Sequence, residues 1–364
     1  MLAMNAYAMK EKNKRLLLKL ILKSPVSRAD LAKRSSLTKA AVSVIIDELI
    51  SEGAIEEHEA KRMQVGRPPI HLSLKSGYKY AIGVDITRSH TTVGLMDIVG
   101  GVQGETQFPT ETPMTTMKKV NEAILRILKE SRLDTDKILG IGITAPGPID
   151  TRNTTILNPP GFEAWHHVNV AEYIGHTFDK PRYLENISSG LALCEKYYGI
   201  AKDMPDFLLL TVNDGIGSGI ILDNSLAKNA SEVGHTSIRY DGIKCKCGNT
   251  GCIECYASIP RILENTPYSK WSEVVDNGDV ALIEKEGEYL SCALVNATNT
   301  LGISSIILDG EITYKPEILI SRIEKRLSSN TITKTPPSVA VSSGFNPVAC
   351  AAVSAVEGYF NSHI

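Results

Sequence analysis

The chain has 364 residues, of which 43% are apolar and 22% charged, with seven cysteines and a net charge of only -2. That length exceeds one average domain, and no run of eighteen apolar residues exists to cross a bilayer as a helix, which excludes a helical membrane protein. Met1 to Lys10 lacks an apolar leader with a small-residue cleavage site, so a cytoplasmic protein is expected.

The distribution of charge says more than its sum. Residues 1–75 hold 14 Lys and Arg against 8 Asp and Glu, a balance of +6, whereas the other 289 residues hold 25 against 33, a balance of -8. A small basic module ahead of a larger acidic one fits a nucleic-acid contact at the N-terminus, although +6 alone also describes an ordinary solvated face.

Within the basic module, residues 12–23 carry Leu16, Leu17, Leu20 and Ile21 at helical spacing, and Ser24-Pro25 breaks the helix. Ser27 starts a second helix, with Asp30 in capping-box position and Leu31 toward the core. Thr38 is placed to cap a third helix over residues 39–51, closed by Gly53. Leu37, Val42, Ile45 and Leu49 would bury one stripe, leaving Lys39, Ala40, Ser43 and Val44 on or near the outward face. Strands over residues 55–58 and 70–74, around a loop with Lys61, Arg62 and Arg67, would complete a winged helix-turn-helix. In such a module the N-terminal residues of the third helix meet base edges while Lys and Arg hold phosphates. The candidate DNA contacts are Ser27, Arg28, Thr38, Lys39, Ala40, Ser43 and Arg67; the competing use of the module is helix packing or dimerisation. Pro68-Pro69 reads equally as a stiff arm presenting Arg67 to a minor groove or as a rigid linker.

From residue 80 the pattern changes. Residues 80–86 form an apolar strand ending near Asp85, residues 91–97 alternate as its hairpin partner, residues 120–133 make an amphipathic helix, and residues 138–144 make another buried strand. Residues 207–212 and 219–222 flank Asn213-Asp-Gly215-Ile-Gly217-Ser-Gly219. Strand pairs alternating with helices, with glycine turns at strand ends, predict an α/β domain of two similar lobes.

The most specific chemistry lies between Glu232 and Glu254: Glu-Val-Gly-His235, then Cys245-Lys-Cys247-Gly-Asn-Thr-Gly-Cys252-Ile-Glu254. Three thiols and an imidazole supply a closed tetrahedral set for structural zinc, and Gly248 and Gly251 allow the turn that returns Cys252 to the other two. A disulfide is the alternative, but Cys245 and Cys247 are too close in sequence to pair comfortably and the cysteine total is odd. Spacing alone also permits a set with Cys255 in place of His235.

Ser27-Arg-Ala-Asp-Leu-Ala32, Leu37-Thr-Lys-Ala-Ala-Val-Ser43, Gly66-Arg-Pro-Pro69, Ala145-Pro-Gly-Pro148, Asn158-Pro-Pro-Gly161, Glu185-Asn186, Gly215-Ile-Gly217 and the cysteine segment together resemble the ROK-family transcriptional regulators. The resemblance spans nearly the whole chain. It implies a winged helix-turn-helix over residues 1–75 and, over residues 76–364, a two-lobed sugar-kinase-like domain of the actin/hexokinase type whose C-terminal helix returns to the first lobe. It also implies His235, Cys245, Cys247 and Cys252 as structural zinc ligands, against Cys255, and sugar contacts from Asn158, Asn186, Glu232, His235 and Glu254. Carboxylates and amides suit vicinal hydroxyls, and a histidine held by zinc through one nitrogen can present the other.

Three departures from the kinases of this family predict that catalysis is lost. The Asp that accepts the hydroxyl proton is replaced by Ile187, which has no basic atom. The first phosphate loop reads Asp85-Ile-Thr-Arg-Ser89 in place of glycines, and the expected double glycine reads Asp309-Gly310-Glu311. Gly215, Gly217 and Gly219 survive, but a hairpin also uses such glycines structurally. The resemblance therefore implies a sugar-responsive regulator, most often a repressor, that binds operator DNA as a homodimer or homotetramer. A sugar or sugar-phosphate effector between the lobes would alter the spacing of paired heads. The alternatives are an ATP-dependent sugar kinase with an accessory head and a constitutive repressor with a decayed pocket. The missing polar group at Ile187 points toward an effector less hydroxylated than glucose, such as a pentose or deoxy sugar.

Overall fold

The computed structural model describes residues 6–59, 70–174, 178–227, 232–333 and 335–362. Helix α1 (Ala6–Lys23) begins earlier than the apolar spacing predicts. It buries Leu17, Leu18 and Ile21 and leaves Leu16 38% exposed, so its inward face is turned slightly from the expected one. Helix α2 (Arg28–Ser35) is capped by Ser27, whose Oγ accepts the Asp30 N–H at 3.2 Å, and it ends where Ser36 turns left-handed with φ 58°. Thr38 caps α3 (Lys39–Ser51) by accepting the Ala41 N–H at 3.1 Å. Val42, Ile45, Ile46 and Leu49 form the buried stripe of α3. Strands β1 (Ile55–Glu59) and β2 (Ile70–Leu74) pair antiparallel from Ile55↔Leu74 to Glu59↔Ile70. The loop expected to carry Lys61, Arg62 and Arg67 lies outside the described residues.

In chain order there follow β3 (Tyr80–Ile86), β4 (His90–Asp97), β5 (Val102–Pro109), α4 (Pro113–Ser131) and β6 (Ile138–Ala145). The short β7 (Ile149–Asp150), β8 (Thr155–Ile156) and β9 (Val168–Asn169) form a small sheet, before α5 (Val170–Tyr173) and β10 (Arg182–Asn186). A five-stranded sheet has the order β10-β6-β3-β4-β5. Strand β5 was not expected: its exposed positions outnumber its half-buried ones, as suits an edge strand with one wet face. Helix α4 starts at Pro113 behind the cap Thr112, seven residues before the apolar periodicity alone places it.

The chain divides into two compact units, one comprising Met1–Thr144, Asn169–Leu184 and Asn346–Ile364, the other Ala145–Val168 and Glu185–Phe345. The second unit contains β7 and β8 and, from residue 185 on, α6 (Ile187–Tyr197), β11 (Phe207–Val212), β12 (Ile216–Leu222) and β13 (Ser225–Leu226). Then come α7 (Glu254–Ala257), α8 (Ile259–Ile262), α9 (Trp271–Asp276), α10 (Val280–Leu301), β14 (Ser305–Asp309), α11 (Glu317–Asn330) and β15 (Ser338–Val341). Its sheet runs β13-β12-β11-β14-β15, with β14 parallel to both neighbours. Leu208, Leu210, Trp271, Leu290, Leu294, Ile306 and Ile323 belong to its core.

The last helix, α12 (Pro347–Asn361), belongs to the first unit and lies on the β3–β4–β6 part of its sheet. Gly83 pairs with Gly94 on one side and Gly142 on the other, making a row of three glycines across those strands. A Cβ on Gly83 would strike the Val348 carbonyl, one on Gly142 the Ala351 carbonyl, and one on Gly94 would lie 2.8 Å from the Val348 side chain. The row is a track that admits the helix backbone, and Ala351, Ala352 and Ala355 narrow the helix to match. Among the described residues no helix is long and apolar enough to cross a membrane.

Candidate functional site

Residues 232–253 have little regular structure and are held by turns around four potential ligands. Gly248 and Gly251 both have positive φ, 98° and 77°, and the backbone of Arg239 closes on Gly251 where any side chain would sit. Cys245 donates its N–H to Asn249 O at 2.9 Å, Ile253 donates to Thr236 O at 3.0 Å, and the Asn249 amide donates to His235 O at 3.0 Å. These bonds bring His235, Cys245, Cys247 and Cys252 together, with all ligand atoms within 4.8 Å of one another. Cys245 Sγ lies 3.7 Å from His235 Nδ1, and Cys247 Sγ lies 3.7 Å from Cys252 Sγ. Sulfurs on a tetrahedron with zinc bonds of about 2.3 Å stand about 3.8 Å apart, whereas a disulfide needs about 2.05 Å. The spacing therefore fits a cation and not a bridge, and none of the seven cysteines is in a disulfide. The cluster could hold a metal ion through these four residues; Cys255 is not among them.

Cys245 and Cys252 titrate apart. Burial opposes the Cys245 thiolate, but hydrogen bonds from the Cys247 backbone and neighbouring thiols bring Cys245 down to about 7. Burial and the same neighbours push Cys252 up to about 12.

The expected sugar ligands all belong to the second unit. Asn186 is the N-cap of α6, its Oδ1 accepting the Ser189 N–H at 2.7 Å, so its amide nitrogen is the atom left for a ligand. A Cβ placed on Gly147 would be 3.0 Å from Glu232 Oε1 and 3.9 Å from Asn186 Nδ2, so Gly147 keeps a gap between those two side chains. Glu254, first residue of α7, accepts the Ile216 N–H at 3.0 Å through Oε2. Burial of its carboxyl among neighbouring groups raises Glu232 above the ordinary range, although the residue as a whole is exposed, with His235 opposing and Glu254 reinforcing the rise. Glu232, His235 and Glu254 are thus electrostatic neighbours. Asn158 is exposed on a segment tied to Pro148 through the Leu157 N–H at 3.0 Å. The structure records no direct bond between Asn158 and the other four.

Ile187 is the first residue of α6, immediately after the Asn186 cap. The phosphate-loop position is closed on itself: Thr87 N–H donates to His90 O at 2.9 Å, and Thr87 Oγ1 accepts the His90 N–H at 3.1 Å. Gly217 and Gly219 lie inside β12, which starts three residues earlier than expected. A Cβ on Gly219 would be 2.5 Å from the Ser188 carbonyl and 2.6 Å from Ala192, and one on Gly217 would strike the Ser188 hydroxyl. Their first use is to seat α6. Gly310 has φ 95° and packs on Asn213, whose Oδ1 accepts the Glu311 N–H at 2.8 Å.

Glu195 did not stand out in the sequence. It is fully buried in α6 and accepts the Ser342 hydroxyl at 2.9 Å, the Ser343 N–H at 2.6 Å and the Ile200 N–H at 2.9 Å. Burial raises Asp309 above the usual carboxylate range, Ser342 lowers it and Glu195 adds to the rise. Two carboxylates therefore face each other beside the Gly310 turn, which disfavours an anion there.

At the other candidate interface, several expected DNA contacts already have partners. Arg28 is ion-paired to Asp47 at 2.7 Å and Glu57 at 3.1 Å. Ser27 exchanges two bonds with Asp30, and Thr38 caps α3. Lys39, Ala40 and Val44 are exposed and Ser43 is half-buried. Arg67 lies outside the described residues.

A profile of the ROK family matches residues 81–352. The xylose repressor of Bacillus spizizenii is 29% identical over 337 residues, covering 88% of this chain and 87% of the repressor. The crystal structure of a ROK family transcriptional regulator, homolog of the Escherichia coli MLC protein, aligns with TM-score 0.79 and 24% identity over 97% of both chains. The ROK hexokinase of Thermus thermophilus aligns with TM-score 0.64 and 21% identity, covering 76% of this chain and 97% of the hexokinase.

Proposed function

We propose, from the premise that this chain belongs to the ROK family, that it is a sugar-responsive DNA-binding repressor whose sugar-kinase-like part senses its ligand without phosphorylating it. The observation that carries this reading is the start of α6. Asn186 offers an amide beside Glu232, whereas the next residue, where a proton acceptor would be needed, is Ile187. Binding groups without a base make a receptor. Residues 1–75 are the DNA-binding head and residues 76–364 the sensor, and the similarity to a named xylose repressor over most of the chain supports joining the two roles.

Sugar hydroxyls would be held by Asn158, Asn186, Glu232, His235 and Glu254. Structural zinc on His235, Cys245, Cys247 and Cys252 would fix the turn that sets Glu232 and Glu254, with His235 ligating through Nδ1 and turning Nε2 to the sugar. The thiol-rich donor set and its spacing favour zinc over a hard cation. A neutral pentose is the first effector to try, since Ile187 offers no hydrogen bond at that end and the named relative is a xylose repressor. The working form is a homodimer, because paired heads read paired half-sites.

The competing reading, a sugar kinase with an accessory head, draws on the kinase fold and on the surviving glycines. Gly217 and Gly219 serve helix packing instead. Calorimetry with a panel of pentoses and hexoses, run beside a coupled ATP assay, separates the two. The receptor reading expects saturable binding of one sugar that Glu232→Gln weakens roughly tenfold or more, with no sugar phosphate formed. Phosphate transfer by the wild type at a rate that Ile187→Asp does not exceed would overturn it.

A further inference from the structure

A recognition helix reads bases with side chains that point outward and have no prior partner. On α3 the buried stripe Val42, Ile45, Ile46 and Leu49 fixes which face is outward. The polar groups around that face are engaged: Thr38 with the Ala41 N–H, and Arg28 with Asp47 and Glu57. Asp47, 67% exposed on its side chain, is matched by Arg28 and so presents no lone negative charge to a phosphate backbone. Lys39, Ala40, Ser43 and Val44 are what the helix has left for the groove floor. Val44 is 63% exposed, and its β-branched side chain adds nothing to helix propensity or to the core.

We infer that Val44, together with Ala40 one turn before it, reads the C5-methyl groups of thymines in the major groove. This rests on the DNA-binding reading above and assigns the chemistry of its specificity. The thymine methyl is the one apolar feature among the base edges there, and small aliphatic side chains are its natural partners. Residues four apart on a helix are about 6 Å apart along its axis, so the two contacts fall about two base steps from one another. The +6 balance of residues 1–75 supplies phosphate attraction that is blind to sequence, which leaves discrimination to such contacts. A solitary exposed valine is common on protein surfaces, and only its coupling to a particular methyl separates the two uses.

The test is a selection of bound duplexes from a random library by the full-length protein, followed by a scan in which each thymine of the selected site is replaced by deoxyuridine at fixed salt. The expected result is a roughly threefold to fivefold loss at one or two thymines per half-site, the effect of one buried methyl. Val44→Ala should lose a similar factor on the thymine duplex, become indifferent to deoxyuridine at one of those positions, and keep the salt dependence of the wild type. Val44 is on the surface, so the variant retains its fold. If Val44→Ala remains as sensitive to every deoxyuridine as the wild type, the assignment is overturned while DNA binding stands. If no duplex is enriched, the DNA-binding reading falls, and this inference falls with it.

Discussion

Asp85 is 3% exposed, and its carboxyl accepts the Thr144 hydroxyl at 2.7 Å. Burial raises it from 3.8 to about 6, with Thr144 and His90 pulling the other way. The folded state thus holds this proton more tightly than the unfolded chain does. Its stabilising contribution is complete below pH 3.8 and is lost as pH rises through 6, about 3 kcal/mol in all. Asp85→Asn, which keeps the neutral form, should gain about 2 kcal/mol on the wild type between pH 4.5 and pH 7.5 in urea unfolding. A constant difference across that range would mean that Asp85 titrates normally. The metal cluster makes a second residue-scale prediction. Cys252→Ser removes a fully buried residue of the cluster, so the one zinc per chain proposed for the wild type should be missing from the variant by elemental analysis, and sugar should bind roughly tenfold more weakly or worse. Unchanged sugar affinity with the metal gone would separate the cluster from the pocket.

At the scale of elements, α12 is held at both ends by contacts far apart in sequence. Near its start, the glycine row lets its backbone reach the sheet. Gly83→Ala would press a methyl into the Val348 carbonyl, and a destabilisation of about 3 kcal/mol is expected from the denaturant midpoint. At its C-terminus, Arg15 of α1 donates to the carbonyls of Tyr359 and Ser362, each at 3.3 Å, and its guanidinium lies 4.8 Å from the Tyr359 ring. A cation on the last carbonyls of a helix contributes about 1 kcal/mol, so Arg15→Ala should speed amide exchange in the final turn of α12 by roughly fivefold.

The caps Ser27 and Thr38 and the cysteine spacing were legible in the sequence because each is a local signal in which a few neighbouring residues fix a turn. The glycine row was not, because Gly83, Gly94 and Gly142 acquire meaning only through register with other strands. Glu195 escaped for the same reason: its partners Ser342 and Ser343 lie nearly 150 residues away. The ion pairs of Arg28 were equally hidden. A cation at the start of α2 reads as a phosphate contact, and its partners Asp47 and Glu57, 19 and 29 residues on, come into view only in the fold.

At the scale of the whole molecule, the proposed function requires that two activities on one chain be linked. A sugar that binds the free protein and its DNA complex equally well cannot regulate, however tightly it binds, because only differential affinity shifts an equilibrium. Homologous repressors and the matching fold make the two activities expected; their coupling is what makes a regulator. The most direct measurement is fluorescence anisotropy of the full-length protein on its selected duplex, at fixed salt, with and without saturating pentoses, hexoses and their phosphates. The receptor reading predicts that one neutral sugar changes the DNA affinity at least tenfold, a coupling of about 1.4 kcal/mol or more, and that Glu232→Gln abolishes the change without weakening binding in its absence. Tight, sequence-specific binding that is indifferent to every sugar would contradict it and leave a repressor whose sugar site no longer acts.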